Sequence, residues 1–243
     1  MVRTAPSSGF TIIEVMLFLA ITGLMLSGML IGVSGSINRQ RYNDSVRSLQ
    51  DYLQGQYNFT DNVRNNRGEP ITGCGAATTT RGTSDCTVVG RLITTTNGSD
   101  FTSVPVFSTN PAPDTTGTDK ELLDSLDLTV ASADKVTDED DYQVAWSSRI
   151  YTKKGDESAT TAQLLIVRIP TSGVIRTYFR TTSTLTTPES LKEMWATASE
   201  PELILCVAPD GLIGSPPTGV RVLANAINAN SVQFITAGAS ACA

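Results

Sequence analysis

Between Glu14 and Arg39 the chain carries no charged side chain, and this run, VMLFLAITGLMLSGMLIGVSGSIN, limits what the sequence can fold into more than any other stretch. About 20 consecutive apolar residues are enough to cross a bilayer as a helix. The carboxylate of Glu14, placed at the head of that segment, costs roughly 3 kcal/mol in hydrocarbon even on mild scales and so marks a position that needs a partner. A secretory signal peptide fits less well, because its apolar core is shorter and ends at a small-residue cleavage site.

The helical pattern continues past the apolar run. Tyr42, Val46, Leu49, Leu53 and Tyr57 recur at spacings of three and four with charged residues between them, the stripe of an amphipathic helix whose apolar side packs on a sheet. One helix is therefore expected from Phe10 to about Asn66, closed by Gly68 and Pro70. Within its apolar half, Gly23, Gly28, Gly32 and Gly35 permit close helix approach, and Gly28 with Gly32 forms a GxxxG pair. Each glycine also weakens the helix by about 1 kcal/mol relative to alanine.

The string Gly9-Phe10-Thr11-Ile12-Ile13-Glu14-Val15, followed by the apolar run, resembles the N-terminus of the type IV filament superfamily: type IV pilins, and the pseudopilins of type II secretion and DNA-uptake systems. The likeness covers roughly residues 1 to 60. It implies cleavage by a prepilin peptidase after Gly9 and N-methylation of Phe10, with Glu14 becoming the fifth residue of the mature chain. It further implies that Glu14 pairs with the N-terminal amine of a neighbouring subunit, each charge offsetting the other's desolvation. The partners implied are other copies of the chain and other pilins, the prepilin peptidase and the pilus assembly platform, with the inner membrane as the site before assembly. The product would be an extracellular filament serving cell adhesion or twitching motility.

The expected domain plan is a leader at 1–9, a membrane and assembly half-helix at 10–38, an amphipathic half-helix at 39–67 and a β-rich globular domain at 68–243. The fold class expected is α+β and pilin-like, a long N-terminal helix on a mostly antiparallel sheet. Counting Arg3 against Arg39, Arg41 and Arg47, the positive-inside rule alone favours a cytoplasmic C-terminus. The family instead inserts with its N-terminus in the cytoplasm, and the cysteines agree with that orientation. Cys74, Cys86, Cys206 and Cys242 are even in number and contain no CxxC spacing, which in an exported domain reads as two disulfides. Of the three possible pairings, Cys74–Cys86 and Cys206–Cys242 each close a local loop and are the ones expected.

Beyond the helix the pattern turns to β-structure. CTVVGRLITTT (86–96) reads as a strand, and residues 97–117 read as a loop with a short extended piece at Val104–Phe107. Thr118 and Glu121 form a capping box for a short helix bearing Leu122, Leu123 and Leu126. The acidic run Asp138–Asp141 reads as a turn. Residues 142–153 alternate like a strand, and residues 163–170 and 173–181 flank a tight hairpin turn. Pro188 opens a second short helix after Thr187, reaching about Ala198. ELILCVA and SVQFITA read as the last strands, separated by the turn-rich PDGLIGSPPTG.

Little of this points to catalysis. The chain has no histidine, which removes Ser-His-Asp and Cys-His chemistry and the commonest zinc ligand, and no P-loop or GxSxG string occurs. No cofactor is expected. Asp138, Asp140 and Asp141 are weak calcium candidates, since hard cations prefer carboxylates, but they lack the spacing and glycine of a calcium loop, and a solvated turn explains them better. Asp114–Glu121 is a similar candidate, and helix capping explains its end better. A net charge of −6 with no basic aromatic patch argues against a DNA partner. Trp146 and Trp195 are expected in the core, with an adhesin's binding aromatics as the alternative. Asn43, Asn58 and Asn97 stand in N-x-S/T sequons of a kind common by chance.

The function expected is a structural subunit, either a minor pilin or an elaborated major one. The alternatives are a pseudopilin of a secretion or DNA-uptake machine, and a tip adhesin or receptor presented by the filament.

Overall fold

A computed structural model describes residues 9–62, 86–110, 117–130, 140–152, 156–181, 188–196, 202–208, 217–223, 225–235 and 242. The chain divides into two compact units, Met1–Arg41 and Tyr42–Ala243. Helix α1 runs unbroken over Ile12–Asp61. It starts two residues later than expected and ends about five residues earlier, while Gly68 and Pro70 lie outside the described residues.

In the first unit the described apolar side chains of α1 are exposed. Phe10 is 81% exposed and Leu24 76%, and no part of the most apolar 18-residue window of the helix is buried inside the protein. The helix is long and apolar enough to cross a membrane. A Cβ built on Gly23, Gly28, Gly32 or Gly35 would meet open space, and the helix continues through all four.

In the second unit the amphipathic stripe behaves as its spacing predicts. Tyr42, Val46, Leu49, Leu53 and Tyr57 are all buried and pack on two antiparallel sheets. The larger sheet has the order β3-β2-β1-β6-β7, with β4 also on β2. Its strands are β1 (Thr87–Thr95), β2 (Asp100–Ser108), β3 (Leu128–Val130), β4 (Asp140–Gln143), β6 (Ala162–Arg168) and β7 (Ile175–Arg180). The smaller is β10-β9-β8-β5, made of β5 (Ile150–Tyr151), β8 (Glu202–Val207), β9 (Thr218–Leu223) and β10 (Val232–Ile235).

The α1 stripe shares one core with Ile93, Leu164, Ile166 and Phe179 of the larger sheet and with Leu203, Leu205, Val220 and Val222 of the smaller. The opposite face of the larger sheet carries Leu92, Val106, Leu165 and Val167. Helices α2 (Asp119–Ser125) and α3 (Pro188–Ala196) cover it through Leu122, Leu123, Leu191, Met194 and Trp195. Strand β6 is thus buried on both faces, which is why QLLIVRI is apolar without alternation.

Several expectations change. Residues 100–108 form the nine-residue strand β2 rather than a loop with a short extended piece. Pro105 lies at a break in the sheet edge: β4 pairs with residues 100–103 and β3 with residues 106–108, so among the described residues Val104 and Pro105 have no partner on that edge, where a missing N–H is tolerated. Asp140 and Asp141 begin β4 rather than a turn. Residues 142–153 are not one strand, because a 3₁₀ turn at Ala145–Ser147 separates β4 from β5. Strands β3 and β9 are additional elements.

The capping box at Thr118 and Glu121 forms in full, and its hydrogen bonds hold the Glu121 carboxyl below the usual range. The expected Cys206–Cys242 bridge is present, with its Cα atoms 5.6 Å apart. Closing 36 residues, it contributes about 4 kcal/mol on the chain-entropy account. Cys86 is buried and disulfide-bonded, while Cys74 lies outside the described residues.

Candidate assembly site at the N-terminal helix

Gly9 and Phe10 precede the helix outside regular secondary structure and are exposed. Thr11 is the residue that starts it. Its backbone oxygen accepts from the N–H groups of Glu14 at 3.1 Å and Val15 at 3.2 Å, and its Oγ1 accepts from Glu14 N at 3.3 Å. Glu14 is therefore in the first turn, where the helix dipole favours a carboxylate. Its own carboxylate is exposed and meets no cation or donor among the described residues.

Thr11 and Glu14 match the sequence of a capping box, Thr-x-x-Glu ahead of an apolar run. Half of that box, the bond from Glu14 N to Thr11, is made. This role for Thr11 was legible in the sequence and is additional to the roles expected of Gly9, Phe10 and Glu14. Further along, the Thr22 hydroxyl donates to Phe18 O at 2.9 Å and the Ser27 hydroxyl to Gly23 O at 2.9 Å, so these polar side chains are satisfied within the helix and present mostly carbon outward.

Where α1 enters the second unit, polar bonds fix it to both sheets. Tyr42 donates to Val207 O at 2.8 Å and accepts from Thr218 N at 2.8 Å, bridging β8 and β9 at their paired ends. Gln50 and Gln54 both donate to Val232 O at 3.2 Å. Fully buried Gln56 accepts from Ser103 Oγ at 2.8 Å and donates to Asp140 Oδ2 at 2.7 Å, and Ser103 Oγ accepts from buried Arg91 at 2.8 Å. Sequence pattern gave no sign of this network, which joins residues up to 84 positions apart.

The other singled-out residues divide. Asp140 serves that network and Asp141 pairs with Thr102 in the sheet, while Asp138 and Asp114 lie outside the described residues. Among the described residues no three Asp, Glu or Cys side chains gather as metal ligands. Trp195 is in the core as expected, its indole N–H donating to Asp124 at 2.8 Å. Trp146 is not: it is 58% exposed, in the 3₁₀ turn, with a left-handed backbone (φ 60°). In the sequons of Asn43 and Asn58 the hydroxyl residues Ser45 and Thr60 are buried. Asn97 instead caps the β1–β2 turn, accepting from Ser99 N and Asp100 N at 2.9 Å each.

No family model, characterised protein or solved structure matches this chain.

Proposed function

We propose that the chain is a structural subunit of a type IV filament, a minor or elaborated major pilin. It is cleaved after Gly9, N-methylated on Phe10, and assembled through α1. The observation that carries this reading is the string from Gly9 to Glu14 standing at the head of a helix whose uncharged apolar run has no part of its most apolar window buried in the protein. Such a surface is unsuited to water and needs lipid or other helices around it. A bilayer satisfies it before assembly, with the N-terminus cytoplasmic, and the packed helices of neighbouring subunits satisfy it afterwards. In the filament the Glu14 carboxylate meets the Phe10 amine of a neighbour.

The test is the intact mass of the protein in filaments sheared from cells of its source. The expected species starts at Phe10, carries one added methyl group and has its disulfides oxidised. An uncleaved N-terminus, or a mature chain confined to membranes with no filament, would overturn the pilin reading; the second result would favour a pseudopilin.

A further inference from the structure

A single exposed tryptophan on a protein surface means little. Trp146 has more around it. It is 58% exposed and takes a left-handed backbone (φ 60°, ψ 32°), and Ser147 follows in the same region (φ 56°). A bulky side chain keeps such a conformation only where the surrounding structure imposes it. Here Val144 N donates to Ser99 O and Ile150 N to Gly98 O, each at 2.8 Å. The turn carrying Trp146 is thus clipped at both ends to the β1–β2 turn, and the clipping leaves an indole largely in solvent, whereas Trp195 is buried.

Hydrogen-bonding groups stand beside it. Gln143 is three residues before Trp146, no more than about 11 Å along the chain, and pairs in register with Asp100 across β4 and β2. Asp100 accepts from Gln143 Nε2 through Oδ1 at 3.0 Å and from Asn97 Nδ2 through Oδ2 at 2.6 Å. Asn97 is itself pinned by the backbone N–H groups of Ser99 and Asp100. All three side chains are exposed. A carboxylate oxygen can accept two hydrogen bonds and an amide nitrogen can donate two. Among the described residues, each carboxylate–amide pair therefore keeps one acceptor site next to one donor. A sugar hydroxyl, which accepts and donates at once, needs that combination.

We propose that the Trp146 turn and the cluster of Asn97, Asp100 and Gln143 bind a neutral saccharide, with the C–H face of one pyranose ring on the indole and its hydroxyls on the carboxylate–amide pairs. The cluster holds a carboxylate and no cation, which disfavours an anionic ligand, and two amide N–H groups already take up that carboxylate's charge, which disfavours a cationic one. The polar side chains are held before binding, so little ordering opposes it. The inference is independent of the filament reading.

The test titrates the full chain, in a detergent without a sugar headgroup, with lactose, maltose and diacetylchitobiose by calorimetry. At least one should bind with a Kd of about 1 mM or tighter. Trp146→Ala and Gln143→Ala should each weaken it by at least about tenfold, and Trp146→Phe, with a smaller aromatic face, should retain part of the affinity. Of the two tryptophans only Trp146 is exposed, so bound sugar should shield the wild type's fluorescence from acrylamide and leave that of Trp146→Phe unchanged. Thermal melts establish that the variants are folded, and Gln143→Ala carries the test if Trp146→Ala melts early. No binding of any of the three sugars, undiminished affinity in the folded variants, or tighter binding of sialyllactose than of lactose overturns the proposal.

Discussion

Tyr52, Tyr57, Tyr142 and Tyr178 have phenols whose pKa is raised above the ordinary value of 10.0, in each case chiefly by burial, with the Asp140 charge adding to the effect at Tyr52. The folded state thus favours the neutral phenol and the unfolded chain does not. A raised folded pKa contributes stability that is fully present below the unfolded pKa and lost as pH climbs above it. The domain should therefore be insensitive to these groups at neutral pH and weaken progressively above about pH 10. Tyr57, which shares a 2.9 Å hydrogen bond with Thr177, gives the sharpest test. Urea unfolding of the full chain in detergent should show a smaller drop in midpoint between about pH 9 and about pH 11 for Tyr57→Phe than for the wild type. Equal drops would mean that Tyr57 ionises as readily folded as unfolded.

At the scale of elements, what could be read from the sequence was what neighbours in sequence determine. The capping box of α2, the proline opening α3, the stripe of α1 and the β6–β7 hairpin all depend on residues a few positions apart. Strand β2 was hidden because Pro105 and its Ser and Thr residues carry loop signals, and proline is tolerated where, among the described residues, its partners β3 and β4 leave a gap. The turn between β4 and β5 was equally hidden, since Trp146 and Ser147 both adopt positive φ, a conformation their side chains do not announce.

Gly98 joins the β1–β2 turn to the smaller sheet and is held at φ +72°. Its carbonyl accepts from Ile150 N at 2.8 Å, and a Cβ there would come within 2.4 Å of Ile150 O. Gly98→Ala should cost at least about 2 kcal/mol, through both the backbone conformation and the clash, lowering Tm by roughly 4–8 °C in a domain of this size. Gly55, helical and with open space at its Cβ position, is the contrasting case, since alanine there should stabilise by up to about 1 kcal/mol. Calorimetry on both variants checks the pair, and a Gly98→Ala protein as stable as the wild type would show that the turn relaxes freely.

At the scale of the whole molecule, Glu14 has two possible reasons to be where it is. As a first-turn carboxylate three residues after Thr11 it fits a helix cap, a local role; as half of an intermolecular ion pair it fits an assembly device. The sequence made both legible, and the second requires a neighbour. Glutamine separates them: at the third helical position Gln serves a capping box as Glu does, but it cannot neutralise an amine buried among apolar helices. If the carboxylate acts between subunits, Glu14→Gln should insert into the membrane and be cleaved at the wild-type level yet fail to enter filaments. Thr11→Val, which removes the cap but keeps the charge, should assemble with at most a modest loss, since one cap is worth about 1 kcal/mol. Comparing sheared-filament yield with membrane-fraction subunit for both variants decides it. Normal filaments from Glu14→Gln would leave Glu14 only its local role and remove the charge pair from the assembly mechanism.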